Sequence, residues 1–320
     1  MLDMAASHPT YGEETGWRRI NAMLPEAIRI DPATPPTEEW LNVGRFTVHL
    51  DCMRRPEAPA TLVLVHGAGG NGRLLAPYAA FASAAGYEVI APDLPGYGLT
   101  LVPDRSAVTY QDWRDVLTAV IEVQARRTGR PIVVFGLSMG GMLGYEATAQ
   151  TRIPSGLVAT CFFDPSQPSA RRDVARWPRM LPVIEPLLMN LPAFARGLPL
   201  PMRLVINMRA VANDSELAEV IATDPRAGGS AMPAGFLRSI LASEPLVPPE
   251  MFDVCPVLMV HPADDRWTDV SMSRPFFDRL KVPKRLVMLD NAGHFPIEEP
   301  GVSELRTALL DFLAEGSRRS

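Results

Sequence analysis

The sequence predicts an α/β protein: a mostly parallel sheet with helices on both faces, interrupted by an inserted block of helices. Three observations predict it. Short apolar runs of strand length alternate with helical stretches over residues 60–165 and again over 250–315. Glycine-rich turns follow two of those runs. Between Pro165 and about Pro249 the alternation stops, and the chain becomes proline-punctuated and helical in flavour, with no convincing strand. Alternation favours parallel pairing, because each crossover helix returns the chain across the sheet.

Residues 1 to about 30 read as a weakly patterned leader. The segment WLNVGRFTVHL reads as strand, turn, strand, with Gly44 in the turn. The run Thr61–Val65 is a strand leading into a glycine loop and a helix at about 74–85. A strand at 87–91 and a helix at about 110–127 follow, then a strand at 132–135, a helix at 139–150 and a strand at 157–163. After the helical block come a strand at 256–260, a helix at about 271–280, a strand at 285–289 and a last helix at about 302–314. The expected division is a core domain of residues 1–164 and 250–320 with a helical cap, or lid, inserted at 165–249.

At 320 residues, 47% hydrophobic and 21% charged, the chain can bury a large core. Its net charge of −5 provides no global basic field, which argues against nucleic acid as a partner. No run of 18 or more apolar residues predicts a membrane span. The polar start MLDMAASHPTYGEETG lacks the apolar region of a secretory signal. Cys52, Cys161 and Cys255 lack metal-ligand spacing and read as buried reduced thiols. Together these features predict a cytoplasmic protein, and they leave its oligomeric state open.

The chemistry centres on Gly136-Leu137-Ser138-Met139-Gly140, between a strand and a helix. A nucleophile on so sharp a turn holds a strained backbone, and side chains two positions either side would collide. Glycine removes the collision. The turn lifts the Ser138 hydroxyl above the carboxyl edge of the sheet, where open α/β sheets bind ligands. The structural alternative is a glycine-rich helix start with a capping serine.

A serine hydroxyl is a weak nucleophile near neutral pH and needs a base. Of five histidines, His294 lies in a loop directly after the last strand, on the same edge as Ser138. His8, His49, His66 and His261 fall in the leader, a strand, a glycine turn and a strand end. The base needs an orienting carboxylate. Asp265, at the end of VLMVHPADD, is the preferred acid, with Asp264 its solvated neighbour. Asp164 is the rival acid, although a turn role before Pro165 also suits it. The order Ser138, Asp265, His294 is the Ser…Asp…His order of one fold family.

A second glycine turn, His66-Gly67-Ala68-Gly69-Gly70, follows a strand at the same edge. Backbone N–H groups near Gly67 and Ala68 can join that of Met139 as an oxyanion hole. Each such donor is worth about 2.7–4 kcal/mol to a transition state. A phosphate loop is excluded because no Gly-Lys-Ser/Thr follows, and the glycine spacing does not fit a dinucleotide site.

In this order the motifs LVLVHGAGG, APDLPGYG, GLSMGG, HPADDRW and NAGHFPIEEP resemble the α/β-hydrolase fold family. The resemblance covers roughly 60–165 and 250–315. It implies an eight-stranded, mostly parallel sheet with a helical cap inserted after the sixth strand. It also implies Ser138 as nucleophile, His294 as base, Asp265 as acid, and an oxyanion hole from Met139 with Ala68 or Gly67. Asp93 would be a structural turn residue. Pro262 stands where relatives usually carry glycine, which keeps Asp164 in play as the acid. The segment 213–241 is similar to the cap of lysophospholipase-like and monoacylglycerol-lipase-like members.

The expected function is a serine hydrolase, a carboxylesterase or lipase-like enzyme for small to medium acyl esters working through an acyl-enzyme. No metal or organic cofactor is implied. Thioesterase, lactonase, amide or carbon–carbon bond hydrolysis can share the triad, and a non-catalytic ligand receptor can share the scaffold. The apolar residues of the inserted block suit helix packing and a permissive acyl pocket. No basic amphipathic helix face accompanies them, so membrane contact is unsupported at this level.

Overall fold

The computed structural model describes residues 8–317. The chain opens with helix α1 (Thr15–Met23) and an antiparallel pair, β1 (Thr37–Val43) and β2 (Phe46–Met53). It continues through β3 (Thr61–Val65), α2 (Ala76–Ala84), β4 (Glu88–Pro92), α3 (Tyr110–Thr128), β5 (Ile132–Gly136), α4 (Met139–Thr151) and β6 (Gly156–Ala159). Strands β9 (Val257–Pro262) and β10 (Lys284–Leu289) complete an eight-stranded sheet of order β1-β2-β4-β3-β5-β6-β9-β10. Only β2 pairs antiparallel, with β1 and β4; the other neighbours are parallel. Helices α10 (Val270–Phe277) and α11 (Gly301–Ser317) flank the final strands.

Burial explains the apolar runs. Every residue of β3, β4, β5 and β6 is buried, as expected for parallel strands covered on both faces. Two apolar clusters sandwich the sheet, one containing Tyr78 and Phe135, the other Trp113 and Tyr145. Helix α3 is fixed at its start by a capping box between Thr109 and Asp112 and at its end by left-handed Gly129.

The segment between β6 and β9 is helical, as its composition predicts. It contains α5 (Pro168–Val174), α6 (Leu181–Met189), α7 (Met202–Val205), α8 (Ser215–Thr223) and α9 (Ala234–Leu241). It also holds two short strands, β7 (Pro199–Pro201) and β8 (Ala231–Pro233), paired antiparallel. This corrects the expectation of no strand there. Proline at both ends of β7 and the end of β8 hides them from propensity, since proline suits only edge positions.

The leader also needs correction. Within its described part, α1 buries Trp17 and Ile20, and Leu24 just beyond it is buried too. The Tyr11 hydroxyl donates to Asp93 at 2.9 Å. Asp93 is fully buried and accepts N–H groups from Gly72 and Leu99, each at 2.7 Å. It therefore ties the glycine turn after β3 to the turn after β4. Part of the polar start, residues 1–7, lies outside the described residues. Cys52, Cys161 and Cys255 are free and buried.

Candidate active site

Ser138 stands between β5 and α4 with φ 55° and ψ −129°, a conformation that costs of order 1–3 kcal/mol for a non-glycine residue. The surrounding glycines account for its persistence. A Cβ at Gly136 would collide with the Gly140 carbonyl, one at Gly140 with the Val65 carbonyl, and one at Gly141 with the Cys161 carbonyl. The Ser138 N–H donates to Thr160 Oγ1 at 2.9 Å, which anchors the turn to the end of β6.

The two glycine turns meet at the serine. A Cβ on Gly67 would lie 3.0 Å from Ser138 Cβ and 3.1 Å from the Met139 nitrogen. Met139 is the first residue of α4, so its N–H has no intrahelical acceptor and carries the positive end of the helix dipole. Ala68 lines the same cavities as Ser138. His66 is locked into one tautomer: Leu94 N–H donates to Nε2 at 2.9 Å, and Nδ1 donates to the Gly67 carbonyl at 2.8 Å.

His294 is 6% exposed, in the loop after β10. Its Nδ1 lies 2.8 Å from Asp265 Oδ2. Its Nε2 is buried with no hydrogen-bond partner among the described residues. Ser138, His294, Gly67, Ala68 and Trp267 line one small cavity of about 50 Å³. The two loops are laced together, since Ala263 N–H donates to the Leu289 carbonyl at 2.8 Å and Asp264 N–H to the Ala292 carbonyl at 3.0 Å.

Asp265 receives four hydrogen bonds. Trp267 N–H and Thr268 N–H donate to Oδ1 at 2.8 and 2.9 Å, and Thr268 Oγ1 and His294 Nδ1 reach Oδ2 at 2.7 and 2.8 Å. Burial pushes its carboxyl upward. The His294 charge, with the His294 and Thr268 hydrogen bonds, outweighs burial and holds it at about 2. Asp264 is exposed, as its solvated role predicts. Asp164 accepts from the Ser166 N–H at 2.9 Å and the Ser166 hydroxyl at 2.7 Å, forming a local turn. The fold thus brings Asp265, and not Asp164, to His294.

Sequence reasoning assigned no role to Trp267 or Thr268, although the motif HPADDRW contains the first. The Trp267 ring lies 4.7 Å from the His294 ring, centroid to centroid, and buried Thr268 Oγ1 is 3.1 Å from His294 Nδ1. The other histidines occupy structural positions. His8 stacks on Trp40, and His261 is buried in β9. His49 is buried between Glu38 at 2.9 Å and Asp93 at 3.0 Å.

A second cavity, of about 230 Å³, opens beside Ser138. Met139, Phe163 and Trp267 form its sheet side, and Ile184, Leu188 and Ile240 are among the apolar residues opposite. Arg171 and Glu185, paired at 2.9 Å, are the charged groups in its wall. An apolar chain is the ligand such a wall suits.

Comparison with known proteins places the fold. A family model described as the alpha/beta hydrolase family matches residues 62–303. Human Protein ABHD8 is 29% identical over 110 residues, covering 31% of this chain and 25% of that protein. Phospholipase YtpA of Bacillus subtilis (strain 168) is 34% identical over 96 residues, covering 30% of this chain and 36% of that protein. The chain therefore spans about a quarter to a third of the length of these relatives. A soluble variant of monoglyceride lipase from Saccharomyces cerevisiae, solved with a substrate analog, superposes with a TM-score of 0.72 at 15% identity, covering 97% of this chain and 99% of that one. At that identity the likeness is one of fold. Among the described residues no helix is long and apolar enough to cross a membrane. With the family match running from β3 into α11, the chain belongs to the alpha/beta hydrolase family.

Proposed function

We propose that the protein is a serine hydrolase cleaving carboxylic esters of small to medium apolar acyl groups. The observation that carries the reading is the His294 imidazole. Its Nδ1 is held by Asp265 at 2.8 Å, Nε2 has no partner among the described residues, and His294 and Ser138 line one cavity. Nε2 and the serine hydroxyl are not hydrogen-bonded in this structure. Such contacts commonly tighten only when substrate binds.

In this mechanism Nε2 takes the Ser138 proton as Oγ attacks the ester carbonyl carbon. The carbonyl electrons move to oxygen, and the oxyanion accepts hydrogen bonds from the Met139 and Ala68 N–H groups, with Gly67 leaving room for the approach. Collapse breaks the bond to the alkoxide, which leaves with the proton from His294. Water then gives a proton to His294 and attacks the acyl-enzyme, and a second collapse releases the acid and restores Ser138. Asp265 holds the imidazole tautomer and stabilises the imidazolium throughout. Residues 165–249 act as a cap over an acyl pocket, the apolar cavity beside Ser138. The three buried free thiols suit a reducing, cytoplasmic setting.

The test is labelling by a fluorophosphonate probe. Wild type is expected to label and Ser138→Ala to remain unlabelled, with ester turnover lost in parallel. Labelling of both, or of neither, removes Ser138 from the nucleophile role and favours a ligand receptor on this scaffold. A parallel screen of esters, thioesters and lactones of matched acyl length separates the bond types that share this triad.

A further inference from the structure

We infer that the outer face of residues 177–204 docks the protein on an anionic phospholipid surface. Helix α6 is apolar around most of its circumference, with Glu185 its only charged residue, yet none of its residues is buried. Ile184 and Leu188 line the cavity beside Ser138. On another side, Val183 is 56% exposed and Leu187 66%, in line with Met180 just before the helix. A helix apolar on both sides requires cover on both. Inward cover comes from the cavity wall; outward, among the described residues, Val183 and Leu187 stay more than half exposed. Trp177, Phe194 and Leu204 are exposed as well, and most of the exposed large apolar side chains among the described residues fall in this one stretch. Such concentration marks an interaction surface.

Charge selects the occupant. Residues 177–204 hold three arginines and one acid, a net charge of +2 in a chain whose total is −5. Arg179, Arg196 and Arg203 are exposed and form no ion pair among the described residues. These arginines sit in turns and short elements, so no basic helix face is visible in the sequence. Apolar side chains rimmed by arginine match an anionic lipid interface, where the guanidinium groups meet phosphates while the apolar groups enter the acyl boundary. A second copy of the chain would bring two faces of the same charge together, which disfavours self-association.

The face is continuous with the interior. Trp177 and Leu204 are exposed and also line the cavity that reaches Ser138. The Arg176 N–H donates to the Val205 carbonyl at 3.0 Å, setting Trp177 and Leu204 side by side. An acyl chain leaving a lipid layer would thus enter the cavity between them. That route rests on the proposed esterase reading; lipid binding itself does not.

The experiment is co-sedimentation of the full chain with vesicles of phosphatidylcholine and phosphatidylglycerol, against vesicles of phosphatidylcholine alone. Partitioning at least about tenfold stronger on the anionic vesicles, and weakened by salt, is expected. Val183→Ser/Leu187→Ser is expected to lower it by more than about tenfold, and Arg179→Gln and Arg203→Gln by about fivefold each. All three variants should keep the wild-type melting temperature and the wild-type turnover of a water-soluble ester. Wild type left in the supernatant with anionic vesicles overturns the proposal, as does serine-variant binding equal to wild type. A wild-type dimer that the serine variant dissolves also overturns it and assigns the face to self-association. Fluorophosphonate labelling of Ser138 reads the esterase function separately, so the two ideas fail independently.

Discussion

Asp265 Oδ2 and His294 Nδ1 lie 2.8 Å apart, with side chains 2% and 6% exposed. A pair so enclosed fixes the imidazole orientation better than an exposed one, because water cannot compete for either partner. Asp265→Asn should therefore reduce ester turnover by about 10⁴-fold, the size of effect seen when a triad acid is neutralised. Asp164→Asn should stay within a few-fold of wild type, since Asp164 serves its own turn. Steady-state kinetics on one water-soluble ester decides the matter. A collapse confined to the Asp164 variant transfers the acid role to that residue.

Thr268 is a positioning residue in the same network. Its hydroxyl donates to Asp265 at 2.7 Å and lies 3.1 Å from His294 Nδ1. Thr268→Val keeps the volume and removes the donor. A hydrogen bond to a charged group contributes about 1.5–3 kcal/mol, so kcat should fall by roughly 10- to 100-fold with KM little changed. Thr268→Ser keeps the donor and should restore most of the lost kcat. A loss of thermal stability with kcat intact would reduce Thr268 to a packing residue.

His49 predicts a pH dependence of stability. Burial lowers its pKa, but Asp93 at 3.0 Å and Glu38 at 2.9 Å raise it more, to about 10 against 6.5. A folded pKa above the unfolded value means the imidazolium stabilises the fold fully below about pH 6.5. That contribution falls steadily as pH rises and is gone once pH passes 10. His49→Gln should therefore show its largest deficit in unfolding free energy near pH 6, narrowing towards pH 10. Urea melts at pH 6, 8 and 9.5 measure it. A deficit that is constant with pH would mean His49 is neutral in the fold.

Much of this architecture is legible in residue order because it is local. Apolar runs such as 132–135 announce buried strands, and Gly136 and Gly140 announce the turn that needs them. Choosing between Asp265 and Asp164 is a different problem, since each follows a strand. Sheet order resolves which of them meets His294: β9 lies beside β10, while β6 is one strand further away. Helix α1 stays hidden for a related reason. It packs close to Asp224, far along the chain, and Glu14 just before it pairs with Arg226 at 2.8 Å. Partners two hundred residues away leave no periodic trace. Helix α6 is the converse, a segment whose composition reads as core yet none of whose residues is buried.

Acyl-chain length offers the sharpest reading of the proposed pocket. Each methylene moved from water into an apolar wall contributes about 0.8 kcal/mol, or roughly fourfold in kcat/KM while room remains. A series of p-nitrophenyl esters should therefore climb with chain length and then level off as the cavity of about 230 Å³ fills. Ile184 and Ile240 line that cavity. Ile184→Trp or Ile240→Trp should bring the plateau to shorter chains while leaving acetate turnover within about twofold, because neither residue is part of the Ser138–His294–Asp265 site. A series flat from acetate to decanoate in wild type would show that the chain binds elsewhere, and a plateau unmoved by both tryptophans would place the acyl group outside this cavity.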